Sequence, residues 1–553
     1  MGGLAGSAPF TYTPTGADWL RILPELILFG AALLVMLADL VLPNGRKGWL
    51  AAVGLLGVIA AATAAGVLYV NGDGGAAFYN MVSDDKLALV ADFIILFAVG
   101  LGLLYSPGYL ERQQITREGE YYTLLLLAAL GMMLMSAAIS LMTIFVGLEV
   151  LSLALYVLCA LAQGRERSQE AGMKYFILSS FASAFLLYGM ALTYGATGAT
   201  ALVGIRDFVT HHTLDITGGY GPLLLAGLGL MAVGFCFKVS AVPFQAWTPD
   251  VYVGAPTPVT AFMSVGTKVA AFLGLARIFF YALSPQAAKW APIFWAVAIL
   301  TMVGGNLLAV TQRDVKRMLA YSSIANAGYM LVAVATDTQR ALASLLIYLG
   351  VYAVMNLGAF GVVLAVERND GLGTTLDDFA GLARRRPGLA AAMAILLFGL
   401  SGLFGAGLIG KYYIFYAAIV GNHLDLAAIG ILSSVLGMFY YLRVVWAMYF
   451  TPQAAIGAPE GATTSANATE TPFVVAAPER ETKGGIGVVA VATRPAATAV
   501  VSRRAQSAVA QLAPLPLGAQ FAIALTAALT IALGIAPGAL DLLATQAARV
   551  LLP

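Results

Sequence analysis

The sequence predicts an all-α polytopic membrane protein with about fourteen transmembrane helices. Three observations carry this. The 553 residues are 60% hydrophobic and only 10% charged, where soluble proteins carry about 25% charged residues. Apolar runs of roughly 20 residues recur along the chain, the length that crosses a bilayer core about 30 Å thick. The basic residues fall in alternate connections between those runs.

The runs lie at 20–41, 49–70, 86–105, 121–138, 140–162, 171–195, 222–246, 257–281, 291–311, 316–335, 341–366, 389–418, 424–449 and 517–540. The first reads as a membrane helix and not a signal peptide, because no basic n-region or small-residue cleavage site accompanies it. The fourth and fifth nearly touch at Ala137–Leu141. Fused, they would make a helix of about 40 residues, too long for the bilayer. The seventh carries Lys238, is broken at Pro243 and turns through Trp247-Thr248-Pro249-Asp250. The eighth begins after Pro256 and Pro258 and carries Lys268. The twelfth is loosened by Gly402, Gly405, Gly407 and Gly410 ahead of Lys411. Two interrupted segments at matching places point to repeats packed about sites near the midplane. Their offset of five spans is odd, so the halves run in opposite directions across the membrane.

The first, third, fifth, ninth and eleventh connections carry Arg46, Lys47, Arg112, Arg117, Arg165, Arg167, Arg313, Lys316, Arg317, Arg368, Arg384, Arg385 and Arg386. The other short connections carry only Lys86, Arg206, Lys289 and Arg340. The positive-inside rule places the first set in the cytoplasm and, with an even helix count, both termini on the outer side. Residues 451–515, rich in Ala, Thr, Pro and Val without a helix period, read as a flexible cytoplasmic insertion. Asn467-Ala468-Thr469 fits a glycosylation acceptor, which a cytoplasmic connection would not use.

Composition also excludes. The net charge is +2 and no basic tract suggests nucleic acid. Cys159 and Cys236 lie in apolar runs, and the histidines are His211, His212 and His423. No zinc or iron–sulfur spacing and no phosphate-binding glycine motif occurs, so no cofactor is expected on this chain.

The charges inside the runs carry the functional argument. Glu149, Lys238, Lys268 and Lys411 sit mid-run, and Lys174 lies near the start of the sixth. A charge at the bilayer centre costs about 2.5–3.5 kcal/mol and marks ion pathways and proton relays. Burial disfavours the charged form of a carboxylate and of a lysine, and a neighbouring opposite charge restores both. A buried Glu–Lys pair is therefore poised to take or release a proton. Ser179, Ser180, Ser264, Thr267, Tyr348 and Tyr352 are candidate bridging groups. Unwound backbone near Pro243 and Gly405 is expected to admit water. Blander roles compete. Lys174 could snorkel, Glu25 after Pro24 suits a helix N-terminus, and Asp92 could serve packing. Asp314, Lys316 and Arg317 read as a cap and anchors, and the other Lys and Arg fall in loops or at helix ends.

Four stretches carry a resemblance: FVGLEVLSLALYVL around Glu149, FKVSAVPFQAWTPDVYVGAPTPVTAF from Phe237, RDVKRMLAYSSIANAGYM from Arg313 and GKYYIF from Gly410. They closely resemble the antiporter-like membrane subunits of respiratory complex I, as do the Leu23-Pro24-Glu25-Leu26 start, Lys174 and the YYLRV stretch from Tyr440. The resemblance implies two inverted five-helix repeats, helices 4–8 (121–281) and 9–13 (282–450), with helices 7 and 12 discontinuous. Helices 1–3 (1–120) would precede them, and the insertion (451–515) and helix 14 (516–553) would follow. It implies a proton-translocating subunit of an NADH:quinone oxidoreductase in a bacterial cell membrane. NADH, FMN, iron–sulfur clusters and quinone would sit on partner subunits, and the direct partners would be other membrane subunits of the complex. By matching positions Glu149 and Lys238 would be the coupled pair and Lys268 the central relay. Lys411 would be the connection outward, and Lys174 would lie on the cytoplasmic entry side. The chain departs from the family pattern at Gln245 and Asn326, where histidine is usual, and at Leu403-Phe404, where Pro-Pro is usual. Amides hold water but do not carry a proton near neutral pH. A subunit of a multisubunit cation/proton antiporter would share the same helices and charges, and a purely structural spacer with paired buried charges is the third reading.

Overall fold

Hydrocarbon offers the backbone no hydrogen-bond partners, so a chain this apolar is driven into helices. The computed structural model describes residues 12–41, 47–72, 74–212, 219–369, 371–452 and 514–551. It opens with α1 (Gly16–Arg21), α2 (Leu23–Val41) and α3 (Trp49–Asn71), then a small antiparallel hairpin, β1 (Ala76–Ala77) and β2 (Val82–Ser83), and α4 (Lys86–Arg112). The next group is α5 (Glu118–Ala137), α6 (Leu141–Cys159), α7 (Glu166–Thr197), α8 (Leu202–His211), α9 (Gly221–Lys238), α10 (Trp247–Gly254) and α11 (Thr257–Ala276). A π-helical turn, Arg277–Ala282, extends α11. There follow α12 (Ala287–Val310), α13 (Val315–Thr336), α14 (Gln339–Val366), α15 (Leu376–Phe379), α16 (Leu382–Arg385), α17 (Pro387–Ser401), α18 (Gly405–Val420) and α19 (Leu424–Phe450). The chain closes with α20 (Leu517–Ile535) and α21 (Gly538–Ala548).

Fourteen stretches among the described residues are long and apolar enough to cross a membrane, in the predicted order. α5 and α6 are separate, because Ala138 and Ser140 leave the helix to bridge Val82 and Ala201. The seventh span is discontinuous, with α9 ending at Lys238 and α10 starting at Trp247. The twelfth is split into α17 and α18.

The repeat is visible in which helices touch. α5 packs on α6, α6 on α7, and α7 on both α9 and α10. The same pairs recur as α12 on α13, α13 on α14, and α14 on both α17 and α18. α11 touches α5, α6, α9 and α10, as α19 touches α12, α13, α17 and α18. Five crossings separate equivalent helices, so the two copies are inverted. They meet along a seam where α11 packs on α13 and α14, and α10 on α13.

Every residue of α11 is buried, which makes it the axis of the bundle. α2, α3, α7 and α19 lie outside, exposing residues such as Leu34, Leu56, Phe181 and Leu432. Such faces suit lipid or a neighbouring membrane helix, where exposed apolar surface carries no penalty.

Several boundaries and elements differ from the sequence reading; α4, for one, runs to Arg112, past 105. Residues 247–254 form a helix where a turn was expected. Pro249 falls within its first turn, a place that tolerates proline because the missing N–H would be unpaired there. α7 starts at Glu166, not 171. α20 stops at Ile535, short of 540, ahead of Pro537. The polar connection holding His211 contains a helix, α8. Most of the 451–515 insertion, Asn467 and Arg46 lie outside the described residues.

Candidate functional site: a line of buried lysines

Lys238 is the last residue of α9 and only 3% exposed. Its ammonium donates to Ser152 Oγ of α6 at 2.7 Å and to Ser179 Oγ of α7 at 2.8 Å. It also sits 5.5 Å from the centre of the Tyr175 ring, within cation–π range. The chain then leaves the helix, with Ser240 at φ +65°. The freed groups are capped by side chains. Trp247 Nε1 donates to the Phe237 carbonyl at 3.1 Å, Thr248 Oγ1 to Ser240 Oγ at 2.7 Å, and Val242 N to Thr301 Oγ1 at 3.0 Å. The Trp247 ring stacks on Tyr175 at 4.7 Å between centroids. The helix end at Lys238 is therefore roofed by Trp247, while Pro243 and Ala246 of the break itself are exposed.

Lys268 lies midway along α11 and is 1% exposed. It donates to the Ser323 carbonyl of α13, and the Tyr352 ring centre of α14 lies 5.6 Å from its nitrogen. Tyr352 Oη donates to Ser323 Oγ at 2.8 Å. One turn on, Tyr348 Oη donates to Asn326 Oδ1 at 2.7 Å, and Asn326 Nδ2 donates to the Ser322 carbonyl at 2.8 Å. Ser322 Oγ bonds the Tyr441 hydroxyl, whose ring packs on Tyr440. Tyr440 Oη donates to Asn306 Oδ1 at 3.0 Å, and Asn306 Nδ2 reaches Tyr329 Oη at 3.0 Å and Ser433 Oγ at 2.8 Å.

Lys411 closes the line. It is 7% exposed and donates to the Ser401 carbonyl at 2.9 Å and to Ser434 Oγ at 2.6 Å. The Tyr329 ring centre lies 4.9 Å away. Gly402 and Gly405, at φ +80° and +66°, make the break that precedes α18. Both occupy the left-handed region that glycine alone enters without strain. A cleft of about 540 Å³ beside the break is lined by Gly402, Leu403, Leu408, Lys411, Tyr412 and Val435. The glycines supply the discontinuity that Leu403-Phe404, lacking proline, cannot.

Three buried lysines thus share one setting: oxygen acceptors contributed by serines and a tyrosine ring. Sequence reasoning named the lysines, Ser179, Tyr348 and Tyr352, but missed Ser152, Tyr175, Ser323, Tyr329, Ser401 and Ser434. Their signal was spacing. Tyr175 and Ser179, like Tyr348 and Tyr352, stand four apart and so share a helix face.

The other predicted positions fall as follows. Glu149 and Lys238 are not in ion-pair contact. Glu149 Oε1 is buried with no hydrogen-bond partner, and Ser152, one helical turn on, holds the lysine instead. Lys174 is not in the line. Its half-exposed side chain pairs with Glu170 at 2.7 Å and Asp250 at 2.8 Å, and Asp250 also meets Arg317 at 3.0 Å. Ser180 is exposed and bonds only the Phe176 carbonyl. Ser264 and Thr267 are buried and donate to carbonyls of their own helix, at 2.8 and 2.6 Å. Asp314 caps α13 as expected, accepting from Arg317 N at 2.8 Å. Charges assigned to helix ends are buried in fact. Lys316 is 3% exposed, and Arg277 pairs through two nitrogens with Asp85 at 2.8 and 2.9 Å. Glu25 and Asp92 are also buried, each with one carboxylate oxygen lacking a partner. Asn326 is fully engaged, whereas Gln245 Oε1 in the first break is buried and unpartnered.

The pattern of the family described as "NADH:quinone oxidoreductase/Mrp antiporter, TM" matches residues 138–437. NADH-quinone oxidoreductase subunit N of Trichlorobacter lovleyi is 44% identical over 434 residues, 78% of this chain and 87% of the relative. A chain of respiratory complex I from Thermus thermophilus, solved with bound aureothin, is 30% identical with a TM-score of 0.69, covering 94% of this chain and 99% of its own. A chain of the Mrp complex from a Dietzia species is 20% identical with a TM-score of 0.75, covering 97% of each, a likeness of fold.

Proposed function

This chain belongs to the NADH-quinone oxidoreductase subunit N family, and from that membership we propose that it carries protons across the membrane as a subunit of a respiratory NADH:quinone oxidoreductase. The observation that carries the reading is the line Lys238–Lys268–Lys411, each buried and each held by serine oxygens under a tyrosine ring. An ammonium so held is stabilised by hydrogen bonds and by the ring, yet among the described residues no carboxylate touches it. Its proton can therefore be passed on without breaking an ion pair. Glu149 sets the first lysine through space. When its carboxylate is charged it favours a proton on Lys238, and when it is neutralised that proton is released toward Lys268. Beside the groups that hold these two lysines lie the buried hydroxyls of Tyr156, near Ser152 and Ser179, of Tyr175, whose ring faces Lys238, and of Tyr252, near Ser323, none in a well-formed hydrogen bond among the described residues. Such groups are where ordered water binds, and the transfer would run through them. From Lys268 the network of Ser323, Tyr352, Asn326 and Asn306 leads to Lys411. The two repeats, 121–281 and 282–450, would each supply one end of the path. The arginine-rich end, with Lys174 at its mouth, would face the cytoplasm of a bacterial cell, and both termini would lie outside. NADH, FMN, iron–sulfur clusters and quinone would reside on partner subunits, and this chain would pack against other membrane subunits of the complex.

The test is Lys238→Met and Glu149→Gln in the whole complex, reconstituted in vesicles. Each is expected to assemble and to lose most NADH-driven proton uptake. Normal uptake in both variants would sink the reading. The likeness in fold to the Mrp complex favours a second reading, a subunit of a cation/proton antiporter. That reading requires sodium flux across the same vesicles, whereas the first expects none.

A further inference from the structure

α14 ends on a carboxylate that the lysine line does not use. Glu367 caps the helix and is only 4% exposed. Tyr109 Oη of α4 donates to its Oε1 at 3.1 Å, and Thr257 Oγ1, at the start of α11, donates to Oε2. Thr257 N donates to the same tyrosine hydroxyl at 3.2 Å. A cavity of about 300 Å³ at the arginine-rich end is lined by Arg165, Glu166, Lys316, Glu367 and Thr374. Buried Lys316 donates to the Ala255 carbonyl at 2.8 Å. The charged and titratable groups about Glu367 are Tyr109 and Arg112 of α4, Arg165, Glu166 and Arg167 before and within α7, Arg368 next in the chain, and Asp314 and Lys316 at the start of α13.

From this cavity the seam between the repeats leads inward. Thr257 and Lys268 lie on the same helix, three turns or about 16 Å apart. Lys316 and Ser323 lie two turns apart on one face of α13, and the Ser323 carbonyl is the acceptor that holds Lys268. Two polar atoms in the seam are buried without partners, the Tyr252 hydroxyl and Asn356 Oδ1. Tyr252 neighbours Ser323 and Tyr352. Asn356 Nδ2 donates to Ser264 Oγ at 2.6 Å, one turn before Lys268. Unpartnered polar atoms lying between a cavity and a buried lysine are positions for ordered water.

We propose that Glu367 is the proton-collecting group of a separate inlet that loads Lys268 directly through the seam, without passage over Lys238. Each load places one proton from the aqueous cavity on the Glu367 carboxylate. That proton passes along the Tyr252–Asn356 seam to a neutral Lys268 amine, and Glu367 is left a carboxylate again. The proposal rests on the reading of Lys268 as a proton carrier.

The experiment is Glu367→Gln in the whole complex, in inverted vesicles, with NADH-driven proton uptake followed by a pH-sensitive dye. Without the collector, the seam is loaded only from bulk, at a rate proportional to proton concentration, while Lys238 still delivers its share to Lys268. Uptake is therefore expected to fall about twofold near pH 8 and to recover toward wild type near pH 6. Glu367→Asp should restore most of the alkaline rate. Tyr252→Phe, which removes one hydroxyl and keeps the ring, should show the same alkaline slowing, and it decides the matter if Glu367→Gln fails to assemble. A loss equal at all pH values, or wild-type uptake near pH 8 in Glu367→Gln or Tyr252→Phe, overturns the inlet. If Lys238→Met still abolishes uptake in that case, the relay stands and only the inlet falls. Normal uptake in Lys238→Met, Glu149→Gln and Glu367→Gln alike would remove both.

Discussion

In the seventh span the chain leaves its helix on Lys238; in the twelfth it leaves on Ser401 and re-enters at Gly405, about two turns before Lys411. The first break is roofed by aromatic rings, and its freed carbonyl is taken by Trp247. The second is made by two glycines, and the residues between them, Leu403 and Phe404, are 46% and 49% exposed. Lys238 donates to two side-chain hydroxyls from other helices, whereas Lys411 donates to one carbonyl and one hydroxyl at the wall of a cleft. Both breaks expose residues, Pro243 and Ala246 in the first and Leu403 and Phe404 in the second, but the lysine is enclosed by neighbouring helices in one repeat and borders a cleft in the other. A path that changes character from end to end needs this asymmetry. The interior lysine must exchange protons only with its neighbours, and the terminal one must reach something beyond the fold.

Removing the roof tests this most severely. Trp247→Ala empties a buried aromatic site and uncaps the Phe237 carbonyl, and a cost of about 3–5 kcal/mol is expected. The readout is a lower thermal midpoint or loss of the assembled complex, and an unchanged midpoint would show that the roof is ornamental. The open break should be sensitive to backbone approach instead. A Cβ on Gly407 would lie 1.8 Å from the Gly399 carbonyl oxygen. Gly407→Ala must push α17 and α18 apart, at about 1–3 kcal/mol or more; wild-type yield and midpoint would contradict the packing. The smallest effect separates the lysines themselves. Ser179→Ala removes a hydrogen bond to a charged group, worth about 1.5–3 kcal/mol, and is expected to slow proton uptake about tenfold. Ser434→Ala at the cleft should slow it less, because water can take the place of the hydroxyl. Equal slowing would erase the distinction between closed and open sites.

How far the sequence revealed this structure depended on what each residue type advertises. Fourteen spans were readable because length and apolarity are imposed by the bilayer, and Lys238, Lys268 and Lys411 stood out against that background. The partner of Lys238 did not. Glu149 is nearby, but which oxygen an ammonium meets depends on side-chain reach across helices, and Ser152 lay closer. Arg277, Lys316 and Glu367 were passed over because they stand near helix ends, where a long side chain normally reaches water. Tyr175 and Tyr329 were hidden because a tyrosine in an apolar run looks like core until its ring is seen beside a cation. α10 was missed because Pro249 in a short polar stretch reads as a turn, although the first turn of a helix accepts it. Gly402 and Gly405 were legible as weak points, and the structure shows that two left-handed glycines suffice where proline is lacking.

The contact of α20 with the second break bears on how the protein is made. A Cβ on Gly534 would lie 2.3 Å from Gly405 Cα, and the Thr530 carbonyl borders the same glycine. The ribosome delivers the chain from its N-terminus, so α17 and α18 enter the membrane well before the helix that backs their junction. Until roughly 130 further residues have been synthesised, the glycine joint stands without its permanent neighbour. The first repeat waits less, because Trp247, which caps the Phe237 carbonyl, follows Lys238 almost at once, and Thr301, which takes Val242 N, lies 59 residues beyond it. Maturation of this subunit is therefore staged, and its final step falls to the last membrane helix to emerge.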